Sequence, residues 1–358
     1  MSTSRHRRRT SVRRRRRALA TVLVLLTVAS VVIIKYHYSH QSPPATSSTT
    51  STATTSTTTL SNFTSAVGTT SLTLTESAAN GLPTRSLVTT VRYPAIGTPG
   101  GPDVANAAPL RQKGPYPLIV FSQGFDIQPE RYALLLNAWA KAGYVVVDPT
   151  YPFTSPNSPG GLVRTDIVHH PADLSFVISS ILDLNAHAGG TFSNLINPAE
   201  LGVIGQSDGG DVSLAAIANT CCRDARIKAA VILSGAELAW FQGAYFTTPG
   251  VPMLVVQGTN DLVENPVACS VELYNEAPEP KYYLSMIGQT HLSAYLAPGA
   301  PMQVVIRVTL DFLERYLRHD QAIGNTMTAA GTVPGLATIT SQTTLGPSTG
   351  SCPDAPVG

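Results

Sequence analysis

The sequence predicts an α/β domain: a mostly parallel central sheet with helices on both faces and no large cap domain. Three observations carry this reading. Short apolar runs recur at Leu118–Phe121, Tyr144–Asp148, Leu201–Ile204, Lys228–Ser234 and Pro252–Gly258. Continuous rather than alternating hydrophobicity marks strands buried on both faces. Between the runs lie segments with helical spacing and helix-end signals, such as Pro129–Ala142, which has Pro at its start and Gly143 just beyond its end. Strands alternating with helices at this spacing imply parallel pairing.

In chain order, residues 1–17 hold nine arginines and no acid, a basic tail expected on the cytoplasmic side. Ala18–Ile34 then carries no charge over seventeen residues, about 26 Å as a helix and at the short end of a membrane span. Lys35 can snorkel, and Tyr36 and Tyr38 suit the interface. Residues 18–38 are therefore expected to be a transmembrane signal anchor. A cleaved secretory signal would have a shorter apolar core and an A-x-A-like site, and no convincing site is present. The domain that follows is expected outside the cell membrane, or secreted if the segment is removed.

Residues 39–70, mostly Ser, Thr, Ala and Pro, have too little apolar content to fold and read as a stalk. Asn62-Phe63-Thr64 matches a glycosylation acceptor, relevant only in a eukaryotic secretory pathway. Residues 71–320 are expected to form the folded domain, and 321–358 a flexible C-terminal tail. The net charge of +2 misleads, because without the nine leading arginines fifteen basic residues face twenty-two acids, about −7. Nothing points to nucleic acid.

Within the domain, Ser71–Thr75 and Arg85–Tyr93 alternate like partly exposed early strands, and Leu118–Phe121 and Tyr144–Asp148 read as buried ones. A loop rich in Pro, Ser and Gly fills 149–170, and a helix follows from Pro171 to about Ala186. Lys228–Ser234, Pro252–Gly258 and Tyr282–Met286 continue the sheet, the last being its expected final strand. Met302–Arg318 is amphipathic and should pack upon it. Cys221, Cys222, Cys269 and Cys352 in an exported chain are expected to include at least one disulfide. Adjacent Cys221 and Cys222 are not expected to bond to each other, and no metal-ligand spacing is seen.

The chemistry centres on Gly205-Gln206-Ser207-Asp208-Gly209-Gly210, where a β-branched run stops and a small-residue helix begins. A serine on a tight strand-to-helix turn needs flanking residues without Cβ, because strand and helix pass close there. The helix that follows aims its N-terminus at the serine, which favours an oxyanion. Asp261 lies on a loop just past Met253–Gln257, and His291 follows the last expected strand, so Ser207, acid and His291 fall in nucleophile–acid–base order. Glu237, just past Lys228–Ser234, is an alternative acid. His6, His37 and His40 precede the domain, His187 and His319 sit near helix ends, and His169 and His170 are placed at the rim of the cleft. Oxyanion donors are expected from the backbone N–H groups of Asp208 and Phe125, with the Asp208 side chain pointing away.

Residues 117–291 resemble the bacterial branch of the α/β-hydrolase superfamily that includes dienelactone hydrolases, platelet-activating-factor acetylhydrolases and cutinase-like polyester hydrolases. The resemblance rests on Phe121-Ser122-Gln123-Gly124-Phe125, on His170-Pro171-Ala172-Asp173-Leu174-Ser175-Phe176-Val177 and on the Gly205–Gly210 motif. It rests also on Gly258-Thr259-Asn260-Asp261 and Gly288-Gln289-Thr290-His291. Two departures stand out: Gln206, where relatives usually carry His or Tyr, and a serine where dienelactone hydrolases use cysteine. The resemblance implies hydrolysis of carboxylic esters of lipid, aryl or polyester type through an acyl-enzyme, with no metal and no cofactor. Phe125, Trp240, Phe241 and Tyr151 are expected to line an open cleft. A peptidase or acyltransferase would use the same three groups, and a non-catalytic anchored binding protein would need them broken.

Overall fold

The computed structural model describes residues 63–78, 83–262, 266–348 and 350–353. The basic tail, the expected anchor and the stalk up to residue 62 lie outside the described residues, among which no helix is long and apolar enough to cross a membrane.

Two long strands, β1 (Ala66–Glu76) and β2 (Arg85–Ala95), pair antiparallel, and the two-residue β3 (Val104–Ala105) joins β1. The parallel core comprises β4 (Tyr116–Ser122), β5 (Val145–Thr150), β6 (Ile196–Gln206), β7 (Ala229–Leu233), β8 (Met253–Gly258) and β9 (Lys281–Met286). A last strand, β10 (Ala337–Thr340), runs antiparallel to β9. The order across the sheet is β10-β9-β8-β7-β6-β4-β5-β2-β1-β3. Every residue of β4, β7 and β8 is buried, which the uninterrupted apolar runs require.

The period of two sorts side chains onto two faces. Leu118 and Val120 join a core with Leu174, Val177 and Ile181 of α2 (His170–Ala186), Leu214 of α3 (Asp208–Ala218) and Leu273 of α4 (Val267–Glu276). Ile119 and Phe121 face the other way, onto Leu135 and Trp139 of α1 (Ala133–Lys141) and Val305 and Phe312 of α6 (Ala300–Tyr316). A short α5 (Ser293–Leu296) and α7 (Gly324–Gly331) complete the helices. The β7–β8 connection is a loop without helix or strand, so among the described residues it supplies no cap domain.

Three expectations need correction. The stalk does not reach residue 70, because Ala66–Thr70, expected to be too poor in apolar residues to fold, begin β1 and pair with β2, with Ala66 and Val67 buried. The stretch from residue 321 is not a bare tail: it contains α7 and β10, then runs beside α4, where Tyr274 Oη donates to the Gln342 carbonyl at 2.6 Å and Leu345 N–H to Asn275 Oδ1 at 2.7 Å. Cys352 is bonded to Cys269 of α4. Its polar composition hides this because only a few scattered side chains, such as Ile323, Met327 and Ala337, are buried, and the rest of the order comes from sheet edge, helix and crosslink. Cys221 and Cys222 are also bonded to each other, against expectation. Asn219 forms a tight turn there, its Oδ1 accepting from Cys221 N–H at 2.9 Å and its carbonyl from Cys222 N–H at 3.3 Å. In such an Asx turn the side chain stands in for a backbone group and tightens the chain where the two cysteines meet.

Candidate active site

Parallel strands end together, and the loops beyond β4, β6, β8 and β9 meet at that edge. Ser207 sits between β6 and α3 with φ 57° and ψ −130°, a strained backbone for a residue with a side chain. The crowding that enforces the turn is severe: a Cβ on Gly205 would lie 1.9 Å from the Gly209 carbonyl oxygen, and one on Gly209 2.1 Å from that of Ser122. Only glycine lets β4, β6 and α3 approach so closely.

His291 Nε2 is 2.7 Å from Ser207 Oγ, and His291 Nδ1 is 2.6 Å from Asp261 Oδ2. Asp261 and His291 are both buried. Gln257, at the end of β8, donates Nε2 to the same Asp261 oxygen at 3.1 Å, which fixes the carboxylate's rotation. Asn260 N–H donates to the Gln289 carbonyl at 2.9 Å, tying the acid's loop to the histidine's. A hydroxyl, an imidazole and a carboxylate thus form one continuous line, an arrangement able to take a proton from the hydroxyl and stabilise the imidazolium that results.

Glu237 does not join this line. It is 7% exposed, and its Oε1 has no hydrogen-bond partner among the described residues. Burial first, then the charges of Glu276 and Glu272, push its carboxyl from 4.5 up to about 8. A carboxyl held neutral near pH 7 is unsuited to stabilising a cation.

The β4–α1 loop lies against the serine. A Cβ on Gly124 would stand 3.2 Å from Ser207 Cβ and 2.7 Å from Gln206 Oε1, so Gly124 lets the Phe125 backbone come close. Gln206, fully buried, spans the site: its Oε1 accepts from Tyr132 Oη at 2.7 Å, and its Nε2 donates to the His291 carbonyl at 3.1 Å. Tyr132 Oη in turn accepts from Gly124 N–H at 3.2 Å. One amide therefore braces the loop of Phe125 and the loop of His291 together, which gives the unusual residue at 206 a purpose that the motif alone does not reveal. The Asp208 side chain turns toward Arg164, whose Nη2 is 2.8 Å from its Oδ1.

Of the four aromatics expected in the cleft, Phe125 and Trp240 are half-buried, and the other two are not free to line it. Tyr151 is 1% exposed, stacked on His170, with its hydroxyl 2.9 Å from Ser122 Oγ. Phe241 is 4% exposed and packs on Ile167, Val212 and Ala215. Hydrophobic burial took both rings into the body of the protein. His170 is likewise buried rather than at a rim, with Nε2 3.4 Å from Asp166 Oδ2, beside the paired Arg85 and Asp173. A cavity of about 470 Å³ is lined by Ile127, Arg131, Leu292 and Leu296, the residue after His291 among them, and not by His291 or Ser207 themselves.

A family model described as PET hydrolase-like matches residues 162–343, just over half of the chain and all three aligned side chains. No curated protein matches. Among solved structures, the chain is similar to a ferulic acid esterase from Streptomyces cinnamoneus, at 19% identity and a TM-score of 0.54, over 72% of this chain and 93% of that one. At that identity the likeness is one of fold.

Proposed function

The chain belongs to the PET hydrolase-like family, and we propose that it is a serine hydrolase of carboxylic esters, held at the cell surface by its N-terminal segment. The observation that carries the reading is the unbroken contact from Ser207 Oγ through the His291 ring to Asp261. Ser207 Oγ attacks the ester carbonyl carbon while His291 Nε2 accepts its proton. Asp261 holds the Nδ1 proton and stabilises the cation. The negative charge on the carbonyl oxygen is received by the backbone N–H groups of Asp208 and Phe125. Collapse expels the alcohol, which takes the proton from Nε2, and water then releases the acid by the same route.

The cavity beside Leu292 and Leu296 suits the alcohol or acyl portion of a bulky ester. With no cap domain supplied by the β7–β8 connection, a polymer or lipid surface has access, which supports esters of lipid, aryl or polyester type over small soluble ones. Nine arginines ahead of an uncharged seventeen-residue run support an anchor with the folded domain outside. Fluorophosphonate labelling and p-nitrophenyl ester hydrolysis test the chemistry. Ser207→Ala is expected to abolish labelling and lower kcat on the order of 10⁶-fold. Near-full esterase activity in that variant would refute the assignment, and faster cleavage of peptide amides than of esters would move it to peptidase.

A further inference from the structure

Two acids occupy the first turn of α3, the helix end that faces the reacting group. Asp208 and Asp211 each favour the helix, since a carboxylate near an N-terminus is attracted by the helix dipole. Each also opposes negative charge developing on a substrate at the same end. Asp211 is committed to structure, its Oδ1 accepting from Ala236 N–H at 2.6 Å. Asp208 is the more serious problem, because the residue that would donate its backbone N–H to the oxyanion also carries a charge that repels it.

Arg164 answers that problem. It begins a short 3₁₀ turn (Arg164–His169) at the end of the β5–α2 loop. Its Nη2 stands 2.8 Å from Asp208 Oδ1, and its Nε 3.1 and 3.3 Å from Oδ2 and Oδ1. The Asp208 side chain is 6% exposed, whereas that of Arg164 is 38% exposed, so the carboxylate lies in the interior and the guanidinium at its mouth. The guanidinium also lies 5.3 Å from the centre of the Trp240 ring, reached from the β7–β8 loop. A forked cation seated on an aromatic face is held in orientation from two sides.

We propose that Arg164 is a positioning residue for the oxyanion hole: it neutralises the Asp208 carboxylate and draws it away from the developing charge, leaving the N-terminus of α3 attractive to an anion. This rests on Ser207 being the nucleophile. No bond to the substrate is required of Arg164, so its loss acts on kcat more than on KM. The competing role is mechanical, with Arg164 merely fastening the β5–α2 loop to α3. Removing the acid separates the two. If Arg164 serves to cancel a charge, it is dispensable once the charge is gone. If it is a fastener, removing its partner repairs nothing.

The test measures p-nitrophenyl butyrate hydrolysis and the rate of fluorophosphonate labelling for the full chain, Arg164→Gln, Arg164→Lys and Arg164→Gln/Asp208→Asn, with melting temperatures recorded alongside. Arg164→Gln is expected to lower kcat and the labelling rate about 10- to 100-fold with KM changed less than about threefold, the size expected for one uncompensated charge near the reacting oxygen. Arg164→Lys, which keeps the charge, should retain most of kcat. The double variant should recover about tenfold or more over Arg164→Gln. A double variant as slow as Arg164→Gln, an Arg164→Lys equally slow, or an Arg164→Gln at full rate would each overturn the proposal. If Arg164→Gln does not fold, the double variant against the unaltered chain decides: rates within about tenfold of it support charge cancellation, and a larger loss overturns it. An unaltered chain that labels at a residue other than Ser207 would overturn the nucleophile assignment itself, a result visible before any Arg164 variant is made.

Discussion

Replacing Glu237 by Gln should raise stability in a pH-dependent way while leaving catalysis alone. The side chain is buried and raised from 4.5 to about 8, so the folded protein keeps a proton that the unfolded chain gives up. A group raised on folding contributes stability that is fully present below the unfolded value and is lost as pH rises through the folded one. The window is therefore about pH 4.5 to 8. Each pH unit inside that window costs about 1.36 kcal/mol, less near its two ends, so the unaltered chain should lose about 3 kcal/mol from this group between pH 5 and pH 8. Glutamine cannot ionise and escapes that loss. For a domain of this size 1 kcal/mol corresponds to roughly 2–4 °C, so the variant's advantage in Tm should widen by about 6–12 °C across the window. Differential scanning fluorimetry at pH 5, 6, 7 and 8 reads it directly, and titrating groups other than the interacting Glu272 and Glu276 cancel in the comparison. A Tm difference that stays constant with pH would refute the reasoning. A fall in kcat of a hundredfold or more would mean that Glu237, not Asp261, orients the histidine.

The complementary change, Asp261→Asn, is expected to keep the fold and lower kcat about 10⁴-fold, because an amide cannot stabilise the imidazolium; ester kinetics at constant Tm check it. Gly205→Ala would place a Cβ 1.9 Å from the Gly209 carbonyl oxygen, contact with backbone that cannot yield. Loss of several kcal/mol or insoluble expression is expected, and circular dichroism melting would show it. Cys352→Ser opens a crosslink between positions 83 residues apart, and the chain-entropy model assigns up to about 4.5 kcal/mol to such a closure. Urea unfolding and hydrogen exchange over 337–345 should both register the loss.

The framework was legible because it depends on local signals. The apolar runs from Leu118 to Gly258 are buried strands, and the turn at Ser207 is demanded by Gly205 and Gly209, which the chain displays openly. Asp261 and His291 could be placed because each follows a recognisable strand. What escaped depends on where loops land in space. Tyr151 and Phe241 have the same composition signal as Phe125 and Trp240, but their neighbours Ser122, His170 and Val212 took them inside. Gln206 looked like a departure from pattern, since its two partners, Tyr132 and His291, lie 74 and 85 positions away. Arg164 likewise sits in a loop read only as rich in Pro, Ser and Gly, 44 positions from the carboxylate it meets. The order beyond residue 321 is carried by β9, α4 and a crosslink, none of which its own polar residues announce.

The borders of the sheet have a consequence for how copies of this chain meet one another. One margin ends in the two-residue β3, the other in the four-residue β10. β10 covers four of the six residues of β9, whereas β3 covers only Gly68 and Thr69 of β1, so it is β9 that the short terminal strand keeps from being an open template. A variant trimmed before residue 337 would unveil β9 and is expected to aggregate first along that seam.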